Sequence, residues 1–80
     1  MDRDDLLALF RGVATELTDK DQSALAWDDT IGDAGIDSLA MQEIMGALEE
    51  RLGMSIPEQR LAGLRTVGQF LEVVESLQER

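Results

Sequence analysis

Apolar residues recur at Leu6, Phe10, Val13 and Leu17, the i, i+4, i+7 and i+11 positions of one helical face, with Leu7 and Ala14 beside them. That spacing predicts an amphipathic helix over residues 4–17. Asp2, Asp4 and Asp5 stand at its start, where carboxylates suit the positive end of the helix dipole. A second stripe, Met41, Ile44, Met45, Leu48 and Leu52, predicts a helix over residues 38–52 that Gly53 ends. The opposite face of that helix collects Leu39, Gln42, Glu43, Gly46, Glu49 and Glu50, an acidic stripe with one apolar residue at its beginning. Ile56-Pro57-Glu58 then opens a short helix over residues 57–62 with Pro57 at the first helical position, and Leu61 and Leu64 offer too little apolar surface for a long one. Thr66-Val67-Gly68-Gln69 fits a capping box, with Thr66 as N-cap and Gln69 three residues on. Val67, Phe70, Leu71, Val74 and Leu77 continue it as a last helix over residues 66–77.

Between the first two helices, over residues 18–37, the periodicity stops, and Leu25, Trp27, Ile31 and Ile36 are spaced as pins that hold a loop to a core. One helical turn is expected near residues 22–26. So long a loop is uncommon in a small domain unless it has a task. No strand-like alternation appears, so residues 1–80 are expected to form one all-α domain. The expected architecture is a small antiparallel four-helix bundle, three main helices plus a short one, whose long first loop travels the length of the bundle.

Composition narrows the chemistry. Eighty residues, 44% of them hydrophobic, supply one modest core. The chain has neither Cys nor His, which removes disulfides, Ser-His-Asp and Cys-His catalysis and the usual zinc sites. No metal site is expected from the acidic loop either. An EF-hand register from Asp28 or Asp29 puts Leu39 or Ala40 where a glutamate is required, and one from Asp33 puts Ser38 where glycine is required. Net charge is −10, with a pI near 4.1. No Lys or Arg falls between Lys20 and Arg51, whereas Asp28, Asp29, Asp33, Asp37, Glu43, Glu49 and Glu50 do. Such a surface repels nucleic acid and anionic membrane and draws basic protein partners, and it serves equally as a solvated face. Residues 1–20 hold five acids and no long apolar run, so neither a signal peptide nor a membrane span is expected, and a cytoplasmic monomer is the default.

One hydroxyl stands out. Asp37 is a good N-cap and Ser38 a good first-turn residue, and taken alone the pair does no more than start a helix. Yet the free N–H groups and dipole of a helix N-terminus also favour a phosphate joined to Ser38. With no base beside it, Ser38 is a poor nucleophile, so it would be the substrate of another enzyme and not a catalyst.

The segments "GIDSL" (residues 35–39), "EIMGALEERLGMSIP" (43–57) and "RTVGQFLEVV" (65–74) together resemble the acyl carrier proteins of fatty-acid and polyketide synthesis, over nearly the whole chain. The resemblance implies a carrier that is not itself an enzyme. Ser38 matches the serine to which a phosphopantetheinyl transferase, using its own magnesium ion, joins the 4′-phosphopantetheine of coenzyme A. The thiol of that arm holds acyl groups as thioesters and stands in for the absent cysteine. Gly35, Asp37 and Leu39 match the motif around the attachment site. Leu39, Gln42, Glu43, Gly46, Glu49 and Glu50 match the surface that meets basic patches on partners: the transferase, acyltransferases or acyl-activating enzymes, and ketosynthases or other tailoring enzymes. Ile56 and Leu61 match positions lining an acyl-chain cleft. Charge reversal at Glu43 or Glu49 is expected to impair transfer and leave the fold intact.

Ala34, Ala40 and Gly46 depart from the pattern, in which leucine, an acid and a larger apolar residue are frequent at those places. These departures point toward polyketide or related secondary metabolism. The alternatives are a fatty-acid-synthesis carrier, a D-alanyl or peptidyl carrier, and an acidic helical adaptor that binds basic proteins without covalent chemistry.

Overall fold

Three α-helices build the core of the computed structural model: α1 (Arg3–Thr18), α2 (Ser38–Leu52) and α3 (Val67–Gln78). Residues 1–79 are described. Two 3₁₀ turns, Gly32–Ala34 and Glu58–Leu61, lie in the connections, and the strand-like pairing among the described residues is one isolated antiparallel bridge, Thr30 to Thr66. The all-α expectation holds, and each main helix lies within a residue of its predicted bounds.

The helix starts show why. Asp2 caps α1, its Oδ1 accepting the Asp5 N–H at 2.9 Å. Thr66 Oγ1 accepts the Gln69 N–H at 3.1 Å while Gln69 Oε1 accepts the Thr66 N–H at 3.2 Å, the reciprocal box read from the sequence. Asp19 ends α1 in the left-handed conformation at φ 58°, which Asp tolerates better than most residues.

The apolar stripes converge as spaced. Leu6, Phe10, Val13 and Ala14 of α1 meet Ile44, Met45 and Leu48 of α2 and Val67, Phe70, Leu71 and Val74 of α3. The Phe10 and Phe70 rings sit 5.7 Å apart at 57°, a tilted pair contributing about 0.5–1.5 kcal/mol beyond the area it buries. Met41 and Leu52 are only half-buried at the edge of the α2 stripe. Leu17, on the α1 stripe, stays 37% exposed. The loop leaving α1 folds back over the Thr15 and Thr18 side instead, where the Gln22 N–H donates to Thr15 Oγ1 and Gln22 Nε2 to Thr18 Oγ1.

The connections differ from expectation. Residues 22–26 make a turn closed by the Leu25 N–H on the Gln22 carbonyl, and the helical turn comes later, at Gly32–Ala34. The segment after α2 is a four-residue 3₁₀ turn, Glu58–Leu61. Pro57 caps it in an extended conformation, ψ 129°, and is not its first helical residue. With Glu58, Gln59 and Arg60 all exposed, little burial would support more turns.

The long loop is strapped to the start of α3. The Val67 N–H donates to the Asp29 carbonyl at 2.9 Å and the Gly68 N–H to the Trp27 carbonyl at 2.7 Å, while the Ile31 N–H donates to the Arg65 carbonyl at 2.8 Å. Two amides that a helix N-terminus leaves unpaired are thereby satisfied by the loop backbone. The Trp27 indole lies against Gly68, where any Cβ would overlap the ring, and Arg3 covers that indole at 4.8 Å while pairing with Glu75 at 3.3 Å. Buried Gln22 adds a bond to the Ala34 carbonyl at 3.1 Å, and Arg11 Nε one to the Leu25 carbonyl at 2.6 Å.

One residue of the acidic stripe belongs to the fold. Glu49 Oε2 accepts the Ile56 N–H at 2.7 Å and so ties α2 to the segment that follows it. This corrects the expectation that charge reversal at Glu49 spares the fold. Glu49→Lys is predicted to destabilise by about 1–3 kcal/mol in urea unfolding, Glu49→Gln by less because its carbonyl still accepts, and Glu43→Lys by under about 0.5 kcal/mol. Equal effects at the two glutamates would contradict this division. Gly68→Ala, which in an open helix would be favourable by about 0.5–1 kcal/mol, is instead predicted to destabilise by roughly 1–3 kcal/mol through overlap with Trp27, and unchanged stability would show that the indole is not held there.

Candidate functional site at the start of α2

The approach to α2 is fixed before the helix begins. Gly35 takes φ 79°, a left-handed turn that an L side chain adopts only under strain, and buried Ile36 anchors the next position. Asp37 follows in an extended conformation as the N-cap, its Oδ1 accepting the Ala40 N–H and its carbonyl the Met41 N–H, both at 2.8 Å. Ser38 is therefore the first helical residue, and it is exposed. The Ser38 and Leu39 amides make no hydrogen bond among the described residues. They leave an anion-favouring end immediately beside the Ser38 hydroxyl.

No side chain among the described residues hydrogen-bonds Ser38 Oγ, and the sequence has no histidine to act as its base. The hydroxyl is presented without being activated. The arrangement suits a hydroxyl acted on by an enzyme that brings its own base.

Beside Ser38 opens a cleft of about 500 Å³. Ile31, Ile36, Met41, Leu61, Leu64 and Phe70 give it an apolar lining, with Thr30, Gly32, Asp37 and Arg65 completing its walls. The expected cleft residue Leu61 is there. Ile56 is not: it is 4% exposed, held by Glu49 through its N–H, and borders a smaller hollow of about 310 Å³ with Gln42, Met45, Gly46, Glu49 and Glu58. Leu61, the last residue of the 3₁₀ turn, and Leu64 beyond it reach the cleft, while Ile56, before the turn, borders the hollow on the other side of α2. Thr30, Ile31, Arg65 and Phe70 were not identifiable as neighbours of Ser38 from spacing, since the loop-to-α3 strap brings them there.

The outward face of α2 is largely as read. Leu39 is 66% exposed, and Gln42, Glu43, Gly46 and Glu50 are exposed, whereas Glu49 is half-buried by its bond to Ile56. Asp28, Asp29 and Asp33 border a separate hollow of about 360 Å³, but Asp29 Oδ2 is occupied by the Ala26 N–H at 2.7 Å. No group of three or more acidic residues among the described residues is arranged to hold a metal ion. No helix among them is long and apolar enough to cross a membrane.

A site of this shape suits a phosphate-linked arm: an unengaged hydroxyl, two free amides beside it and an apolar cleft within reach. Comparison with known proteins points to the same chemistry. Residues 8–74 match the family described as the phosphopantetheine attachment site. The chain is 32% identical over 77 residues to an acyl carrier protein of Rhodococcus erythropolis, covering 95% of this chain and 85% of that one. It is 33% identical over 78 residues to a meromycolate extension acyl carrier protein of Mycobacterium leprae, covering 96% and 68%. It is 30% identical over 74 residues to an acyl carrier protein of Treponema pallidum, covering 91% and 95%. Proteins of this kind are non-catalytic carriers of a 4′-phosphopantetheine group that work with synthase and transferase enzymes. The chain belongs to the phosphopantetheine attachment-site family, that of the acyl carrier proteins.

Proposed function

We propose that Ser38 carries the 4′-phosphopantetheine arm and that the chain presents fatty-acyl-type thioesters to enzymes docking on the outer face of α2. The observation that carries this reading is the exposed, unengaged Ser38 hydroxyl at the first position of α2, at the rim of an apolar cleft. The arm, once joined, supplies the thiol on which the cargo is held.

The chain's own residues do the rest. Gly35 and Ile36 set the turn, and Asp37 caps the helix so that exposed Ser38 becomes its first residue. The free amides of Ser38 and Leu39 favour the negative charge of a phosphodiester there. Leu39 gives a partner an apolar contact beside the arm, and Gln42, Glu43, Gly46 and Glu50 extend that contact along the helix. Charges so exposed add little to stability, but they speed encounter with a basic partner. Ile36, Met41, Leu61 and Phe70 offer a cargo chain an apolar surface between visits.

For the pathway, the departures at Ala34, Ala40 and Gly46 favour polyketide or related secondary metabolism. The three relatives carry a different weight: their names speak of acyl carriage and of meromycolate extension, none of polyketides. The apolar part of the cleft lining, Ile31, Ile36, Met41, Leu61, Leu64 and Phe70, outweighs its polar edge and suits an alkyl chain better than a polar polyketone, which favours fatty-acyl cargo.

Incubation with coenzyme A, Mg²⁺ and a broad-specificity phosphopantetheinyl transferase is predicted to add one phosphopantetheine to the full chain, read by intact mass, and to add none to Ser38→Ala. An unmodified wild type, or equal modification of Ser38→Ala, would overturn the assignment.

A further inference from the structure

The chain has seven basic residues, of which Arg80 lies outside the described residues. Four of the others are committed by their side chains: Arg3 to Glu75, Arg51 to Glu16, Arg11 to the Leu25 carbonyl and Arg60 to Ser76 Oγ. The Lys20 and Arg65 side chains make no hydrogen bond or ion pair among the described residues. Lys20 packs over Gly35 and is not part of the cleft wall. Arg65 lines the cleft that Ser38 borders.

The placement of Arg65 is firm at its backbone. Its N–H donates to Gln69 Oε1 at 2.8 Å and its carbonyl accepts the Ile31 N–H at 2.8 Å, so the residue is gripped between the α3 capping box and the loop. The residue is exposed and shares the cleft lining with buried Ile36 and Phe70, which puts a cationic residue at the edge of a largely apolar cleft. The other charged residue of the lining is Asp37. A chain of net charge −10 repels any anion brought to this place, and Arg65 is the cation positioned to offset that repulsion.

We propose that Arg65 binds an oxyanion borne by the arm on Ser38 and thereby holds arm and cargo against the rim of the cleft. The proposal rests on the reading of Ser38 as the attachment residue. The oxyanion has two sources of the same chemistry: the phosphodiester next to Ser38, or a carboxylate at the far end of a carboxyacyl cargo folded back into the cleft. A guanidinium serves either, because its planar fork donates two parallel N–H bonds to a carboxylate or a phosphate.

The test compares wild type, Arg65→Gln and Arg65→Lys, each bearing the bare arm, a hexanoyl group or an adipyl group, whose six-carbon chain ends in a carboxylate. Intact mass verifies each form. In low salt, Arg65→Gln is expected to lower the melting temperature of the relevant arm-bearing form by about 1–5 °C more than it lowers that of the same protein with Ser38→Ala. That excess should vanish near about 1 M salt, and Arg65→Lys should retain most of the wild-type value. Loss in all three forms, with a moved ³¹P resonance, identifies the phosphodiester as the partner. Loss in the adipyl form alone, with the cargo carboxyl titrating closer to its ordinary range by ¹³C NMR, identifies the carboxylate. An Arg65→Gln effect of equal size with and without the arm, or none at all, overturns the proposal. A wild type that gains no arm overturns the attachment reading and this one with it, and is told apart because it shows in the mass before any Arg65 comparison is made.

Discussion

The strap between the long loop and the start of α3 is the constraint on which the site depends. The carbonyls of Asp29 and Trp27 accept the Val67 and Gly68 amides, and the Ile31 amide returns a bond to Arg65. Leaving two helix-start amides unpaired in a partly buried place would cost about 1–3 kcal/mol each, so the loop stabilises α3 while α3 fixes the loop. Buried Val67 and Phe70 on one side and the Trp27 indole on Gly68 keep water from competing. From that fixed segment the chain needs only the 3₁₀ turn, Gly35 and Ile36 to begin α2, and so Ser38 comes to line the same cleft as Ile31, Arg65 and Phe70.

The acids of this chain divide into two kinds of work. Asp2, Asp21, Asp29, Asp37 and Glu49 each accept a backbone N–H, closing a helix start, a turn or a crossing. At Asp21 the hydrogen bonds from Ser23 hold the carboxyl below its ordinary range. Glu43 and Glu50 make no such bond among the described residues and stay exposed on α2. Negative charge therefore serves local backbone satisfaction in the loop and capping positions, and stays exposed to solvent along α2. Gly46, with no side chain, borders the small hollow that Met45 and Ile56 also line.

Periodicity made the three helices legible, because a 3.6-residue stripe and a capping box are local signals. The position of Ser38 was legible for the same reason: Asp37 and Ser38 are neighbours in sequence and in space. The walls of the cleft were not. Phe70 and Arg65 lie about thirty residues beyond Ser38, and contacts at such separation leave no spacing in the chain. Ile56 was expected in the cleft from the family resemblance and not from spacing; here Leu61 lines the cleft and Ile56 the hollow on the other side of α2. Glu49 counted as surface because its position on the helix is outward, yet a glutamate is long enough to reach back to the Ile56 amide.

The account stands or falls on the loop being held to α3 in the native state, and native-state hydrogen exchange at the Val67 and Gly68 amides measures this most directly. The account predicts protection close to that of core amides such as Phe10 and Val13, lost only on global unfolding. Rapid exchange at Val67 and Gly68, at the rate of free loop amides while the α1 core stays protected, would contradict it.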